Sequence, residues 1–293
     1  MRILHLDSGR EMRGGQWQVL RLIEGLRGAG VESTLLARER SPLFIAARER
    51  GWNVEPLGLV CLPGTARRHD LVHAHDARSH TLAALAAAEH LVVSRRVAFD
   101  IGSAWKYRRG RHYIAVSDFV KSVLVRGGVA AEKISVVYDG VPVLEPATGD
   151  AVLAPANSAD PQKGASLTLE AARLAGVDVR LSANLERDLR NAAMLIYITH
   201  SEGLGSGALL GMSAGVPVIA SNVGGLPEII EHRRTGLLVE NDDAAIAGAI
   251  RELRSDPELA HRLGAAARER VLENFTVDLM VSRTMEVYRQ VLS

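Results

Sequence analysis

Residues 195–221, LIYITHSEGLGSGALLGMSAGVPVIAS, decide how this chain folds. Leu195 to Thr199 is a short aliphatic run of the kind that forms a buried central strand. It gives way to His200-Ser201-Glu202-Gly203-Leu204-Gly205-Ser206-Gly207, where three glycines and one carboxylate mark a turn, and then to a helical stretch over Gly207 to Ala214. A second aliphatic strand, Val216 to Ala220, follows at once. Strand, glycine turn, helix and strand in that order predict a right-handed crossover and a parallel sheet. Ligands of such sheets sit beyond the carboxyl ends of the strands, so Glu202 and the amides after it form a candidate site. Gly224-Gly225-Leu226-Pro227-Glu228 is a second glycine turn feeding a helix, and the two turns are expected to face one crevice.

The same grammar runs upstream. The strand Val152 to Pro155, the helix Ala165 to Leu174 and the strand Val177 to Leu181 precede this stretch. Asp160-Pro161-Gln162-Lys163-Gly164 leaves the first of these strands, and its turn, lysine and helix N-terminus suit a diphosphate; taken alone it reads as a solvated loop. The first half alternates likewise, with strands at Arg2 to Leu6, Glu32 to Leu36, Trp52 to Pro56, Leu71 to Ala74, Leu91 to Ser94, Tyr113 to Val116 and Ile134 to Tyr138. Its first helix, Gly15 to Arg27, carries Val19, Leu20, Leu22, Ile23 and Leu26 on one face, and Ser117 is expected to cap a helix over Asp118 to Val125. A Pro-, Gly- and Glu-rich stretch from Asp139 to Asp150 reads as a linker. The expectation is an α/β chain of two Rossmann-like doubly wound domains, 1–141 and 142–274, with a helix over 275–293 returning to the first.

At 293 residues the chain has room for two cores. With 47% hydrophobic and 24% charged residues it is an ordinary folded chain, and 4% aromatics leave the cores to Ala, Val, Leu and Ile, which suits parallel sheets. A net charge of +1 gives no reason to expect nucleic acid as a partner. The single cysteine, Cys61, excludes an internal disulfide and a cysteine metal centre. Nowhere does an apolar run reach bilayer-spanning length, and the expected location is the cytoplasm.

Three further clusters stand out. Gly14 and Gly15 lie between the first strand and its helix, where glycine lets amides approach a phosphate; a turn that simply requires glycine explains them equally well. In His73-Ala74-His75, alternation puts both imidazoles on one face of a strand end. They read as a metal pair, as buried structural histidines, or as a partner for a substrate hydroxyl; no third metal ligand is placed, and the hydroxyl reading is preferred for His75. Arg95, Arg96, Lys106, Arg108, Arg109 and Arg111, with Trp105 and Tyr107 among them, form either a solvated loop or a basic face for an acceptor or a membrane surface.

Taken together, Glu202-Gly203-Leu204-Gly205, Gly215-Val216-Pro217-Val218, Gly224-Gly225-Leu226-Pro227-Glu228 and Thr235-Gly236-Leu237-Leu238-Val239 resemble the donor-binding half of the family-four glycosyltransferases. Arg13-Gly14-Gly15, His73-Ala74-His75, Ile114-Ala115-Val116-Ser117, Asp139-Gly140-Val141 and Lys163-Gly164 match that family in the same order, so the resemblance spans nearly the whole chain. It implies the GT-B fold, with two Rossmann-like domains facing a cleft. It also implies metal-independent transfer of a sugar, with retention, from a nucleotide-sugar donor to a glycan, lipid or small-molecule hydroxyl. The donor is a substrate, and no cofactor is implied.

Carried over by residue, the resemblance sets Gly14 and Gly15 beside donor phosphate or sugar, His75 against a sugar hydroxyl and Lys163 on the diphosphate. Glu202 and Gly203, with the Leu204 and Gly205 amides, would hold the sugar and the departing phosphate charge. This chain departs from the family at Leu210, where a second glutamate usually meets the donor ribose, and at Asn157 and Ser158, where an arginine usually precedes the lysine. Lys163 to Glu202 is also short for the strand and loop that read the base. Two other readings share these motifs: a nucleotide- or glycan-binding relative with weakened catalysis, and a GT-B epimerase acting on the nucleotide sugar itself.

Overall fold

The computed structural model describes residues 1–60, 62–102, 104–156 and 164–293. The chain forms two compact units, Met1–Gly140 with Val277–Ser293, and Val141–Thr276.

The first unit runs β1 (Arg2–Asp7), α1 (Gly14–Gly28), β2 (Glu32–Ala37), α2 (Pro42–Glu49), β3 (Asn53–Pro56), α3 (Leu62–Ala66), β4 (Leu71–Ala74), α4 (Ala77–Leu85), β5 (Leu91–Arg95), β6 (His112–Ala115), α5 (Asp118–Arg126) and β7 (Ile134–Val136). Its seven strands are parallel, in the order β3-β2-β1-β4-β5-β6-β7. The order reverses between β1 and β4, so the ligand-binding crevice of this doubly wound sheet is expected beyond those two strands. The predicted face of α1 is buried on the sheet, and Ser117 caps α5 by accepting from the Val120 amide at 3.0 Å.

The second unit runs β8 (Ala151–Pro155), α6 (Ala165–Ala175), β9 (Val179–Ser182), α7 (Leu185–Asp188), β10 (Ala192–Tyr197), α8 (Ser206–Ser213), β11 (Val218–Ser221), α9 (Leu226–Ile229), β12 (Leu237–Val239), α10 (Asp243–Ser255) and α11 (Pro257–Asn274). Its sheet is parallel, in the order β12-β11-β10-β8-β9, and reverses between β8 and β10. Its core joins Ile196, Ile198 and Ile219 to Ile246, Ile250, Leu259 and Leu263.

Several strand limits differ from expectation for local reasons. Val177 and Val216 do not open strands, because their amides close the ends of α6 and α8 by donating to Ala172 and Gly211. Pro217 has no amide to give a ladder, so β11 begins at Val218. The three-residue β12 is too short to stand out from the glycine-rich sequence around it.

The final helix, α12 (Val277–Leu292), belongs to the first unit. Met280, Val281, Val287, Tyr288 and Val291 pack there with Ile3, Leu22, Leu26, Leu71 and Ile114. Gly25 permits this approach, since a Cβ there would stand 2.5 Å from Val281 Cγ2.

Candidate functional site

Where the first sheet reverses, His5 on β1 lies opposite His73 on β4, and His75 follows two residues on, its amide bonded to Leu6 O at 2.9 Å. All three are buried, and each offers a ligand atom within 4.8 Å of the others. By distance this set could hold a metal. Its hydrogen bonds point elsewhere. His73 Nδ1 meets the Tyr288 hydroxyl at 2.6 Å and its Nε2 meets Ser94 Oγ at 2.7 Å, so both nitrogens are engaged. His5 Nδ1 and His75 Nε2 share a proton across 3.0 Å. To ligate an ion, His73 would have to give up one of its two hydrogen bonds.

Burial pushes His5 down to about 3, and burial together with the neighbouring imidazoles and Arg96 holds His75 well below the usual range, so both rings are neutral. His75 Nδ1 and His5 Nε2 are buried without a hydrogen-bond partner, and such an atom costs about 1–3 kcal/mol. The signal for His5 lay in the sequence, since it shares the parity of a central strand beside His73, but strand pairing was needed to read it.

The turn after β1 is ordered by two carboxylates. Asp76, capping α4, accepts from the Ser8 amide and hydroxyl and from the amides of Arg78 and Ser79. Burial pushes its carboxyl up, but the hydrogen bonds from Ser79 and Ser8 outweigh this and hold it low. Asp7 accepts from the Gly9 amide and Gln16 Nε2, and burial followed by the Asp76 charge pushes its carboxyl up. Gly14 is exposed at the start of α1, and Gly15 lies near the stem of Arg96, whose Cδ would stand 3.8 Å from an added Cβ.

The basic cluster is divided. Arg96 is paired with Asp139 at 3.2 Å, with both side chains largely buried, and lies beside the His75 carbonyl. Arg95 is buried and donates to the Tyr107 hydroxyl and the Phe99 carbonyl. Lys106 Nζ donates to Ala77 O at 2.8 Å. Arg108, Arg109 and Arg111 are exposed, as are Val97, Phe99 and Trp105 on the same loop.

In the second unit, β10 and β11 deliver the two glycine turns side by side. The Gly225 amide donates to Glu202 O at 3.2 Å, and a Cβ on Gly224, whose φ is +59°, would stand 2.0 Å from that oxygen. Gly205, at φ +109°, caps α8 and meets Leu226 from the other turn. The strand ends are tied by Ser221, which accepts from the Thr199 amide and donates to Asn241, whose Nδ2 returns to Thr199 O. Glu202 Oε2 accepts from the Tyr197 hydroxyl at 2.8 Å and Oε1 from the Gly203 amide at 3.2 Å. Gly203, Leu204 and Gly205 are buried beside it. Leu210, the position that departs from the resemblance, is buried with the rest of α8 from Ala208 to Ser213. Lys163, Asn157 and Ser158 lie outside the described residues. The segment that carries them leaves β8, and β8 pairs with β10, the strand that leads to Glu202.

Residues 12–143 match the family described as Glycosyltransferase Family 4, and residues 177–270 match Glycosyl transferases group 1. The Anabaena Alr3699/HepE protein, whose crystal structure holds UDP and glucose, superimposes with a TM-score of 0.86 over 99% of this chain and 100% of that one, at 17% identity. The chain has the GT-B glycosyltransferase fold. A second GT-B match, the glycosyltransferase of Rickettsia africae ESF-5, has a TM-score of 0.86 at 19% identity and covers 100% of this chain and 98% of its own. Among curated proteins, the alpha-maltose-1-phosphate synthase of Mycolicibacterium smegmatis is 40% identical over 114 residues, or 36% of this chain. The chain spans 29% of that enzyme's length. No helix among the described residues is long and apolar enough to cross a membrane.

Proposed function

We propose that this protein transfers a sugar from a nucleotide-sugar donor to an acceptor hydroxyl, with retention and without a metal. The observation that carries the reading is the Glu202 turn: a carboxylate held from two sides, followed by buried glycine amides that open α8 at the reversal of the second sheet. A helix N-terminus stabilises developing phosphate charge, and the carboxylate accepts sugar hydroxyls. The nucleotide and sugar bound to HepE, a protein of the same fold, agree with this.

In this reading Lys163 neutralises the diphosphate, Gly14 and Gly15 admit donor phosphate or sugar, and His75 bonds a sugar hydroxyl through the nitrogen that lacks a partner. The departing phosphate takes the acceptor proton. The acceptor is a glycan, lipid or small-molecule hydroxyl. Arg108, Arg109 and Arg111, exposed beside Phe99 and Trp105, are the side chains available for an anionic acceptor or a peripheral contact with the inner face of the membrane.

Leu210 favours a second reading, a donor-binding relative with weak turnover. Calorimetric titration with nucleoside diphosphates, paired with an assay of donor consumption, separates the two. Binding with transfer supports the first, binding without turnover the second, and conversion of donor without acceptor the epimerase. Lys163→Ala with unchanged turnover contradicts its assignment.

A further inference from the structure

Tyr197, the last residue of β10, is 8% exposed, and its hydroxyl donates to Glu202 Oε2 at 2.8 Å. Nothing in the glycine motifs calls for a phenol at this position. The ring fits there because residue 207 on α8 is glycine: a Cβ at that position would stand 2.7 Å from Tyr197 Cε2 and 3.3 Å from Leu185 Cδ1. Gly207 thus opens the face of α8 to the ring, and the ring carries a hydroxyl to the one carboxylate of the turn. The Gly203 amide holds the other oxygen of Glu202 at 3.2 Å, so the carboxylate plane is fixed from two sides.

From this pairing we infer that Tyr197 is a positioning residue that sets Glu202 for the sugar of the donor and thereby governs discrimination between a nucleotide sugar and the bare nucleoside diphosphate. The inference rests on the proposed role of Glu202. Burial, and then the neighbouring carboxylate, push the Tyr197 phenol well above its usual value, so it stays protonated and remains a donor at any working pH. A hydroxyl on one oxygen and an amide on the other set the plane of the carboxylate, and that plane decides how it meets sugar hydroxyls. Without the hydroxyl Oε2 loses one of its holds and the carboxylate plane is less firmly set, and that loss falls on the sugar and spares the diphosphate, which meets the amides of the turn.

The test is Tyr197→Phe, which keeps the ring against Gly207 and removes one oxygen. Wild type, Tyr197→Phe, Glu202→Gln and the double variant are titrated with UDP, GDP and ADP and with the glucose ester of each. The expected result is unchanged nucleoside diphosphate affinity and a loss of about tenfold for the sugar ester in Tyr197→Phe, with no further loss when Tyr197→Phe is added to Glu202→Gln. Equal weakening of both ligand classes overturns the inference by assigning Tyr197 a structural role, and unchanged binding of both overturns it outright. A folded wild type that binds none of the six ligands instead overturns the donor reading, and the inference with it. Gly207→Ala serves as the second variant: it keeps the hydroxyl but displaces the ring that carries it, and is expected to reproduce the loss for the sugar esters.

Discussion

The Nδ1 atom of His73 on β4 lies 2.6 Å from the hydroxyl of Tyr288 on α12, so the end of the chain reaches back to the strand that carries the candidate histidines. Tyr288 is fully buried in the core of the first unit, and its ring stands edge-on to His73. Tyr288→Phe keeps the packing and leaves an imidazole nitrogen without its partner. The expected cost is about 1–2 kcal/mol in urea unfolding, with little change in the slope. Unchanged stability would mean that the contact does not form in solution.

Stability is expected to fall as the pH drops below neutrality. His5 is pushed down to about 3 by burial, and His73 and His75 are held well below the usual value, while the same side chains titrate near 6.5 once unfolded. The unfolded chain therefore takes up protons below about 6.5 that the folded chain refuses. Each such group removes about 1.4 kcal/mol per pH unit once the pH is well below that value. Asp7, pushed up by burial and Asp76, acts in the opposite sense, since its stabilising contribution is lost as the pH rises through its folded value. Melting temperatures from pH 7.5 to 5 should decline, and His5→Gln should flatten the slope. A profile flat over that range would contradict neutral buried imidazoles.

The Arg96–Asp139 pair stands at 3.2 Å with side chains only 13% and 7% exposed, so both charges are largely removed from water. Removing one member of a buried pair is costly because the other remains desolvated. Arg96→Ala is expected to destabilise the protein by about 2–4 kcal/mol, while Arg109→Ala, on the exposed part of the same loop, should change the melting temperature little. Equal effects of the two substitutions would show that the basic cluster is not divided as described.

Gly224 and Gly176 share a left-handed backbone, with φ of +59° and +64°. They differ in surroundings: a Cβ on Gly176 would meet nothing within 4 Å, whereas one on Gly224 would stand 2.0 Å from the Glu202 carbonyl oxygen. Gly176→Ala should cost about 1 kcal/mol from backbone conformation alone. Gly224→Ala should cost more and should also weaken donor binding, because it pushes the two glycine turns apart. Similar melting temperatures for the two variants would contradict the packed-turn geometry.

Much of the fold could be read from the sequence because aliphatic runs, glycine turns and one-faced helices such as α1 are local signals. The carboxyl-end positions of Glu202 and His75 followed from the same grammar. What stayed hidden depends on partners distant in sequence. His5 becomes meaningful only when β1 pairs with β4, Tyr197 only when α8 brings Gly207 against its ring, and Tyr288 only when α12 returns to the first unit. Arg95, Arg96 and Lys106 cannot be told apart from Arg108 and Arg109 in the sequence, whether the cluster is read as a solvated loop or as a basic face, because sequence proximity does not reveal which cations are spent on internal carbonyls, hydroxyls and Asp139.

The most direct test of donor chemistry at Glu202 is proton NMR of wild type and Glu202→Gln incubated with UDP-glucose, GDP-glucose and ADP-glucose and a panel of acceptor alcohols. Wild type is expected to consume one of these donors and form a glycoside with the anomeric configuration of that donor, and Glu202→Gln is expected to lose most of this turnover while remaining folded. A product of inverted configuration, or turnover in Glu202→Gln equal to wild type, would contradict it.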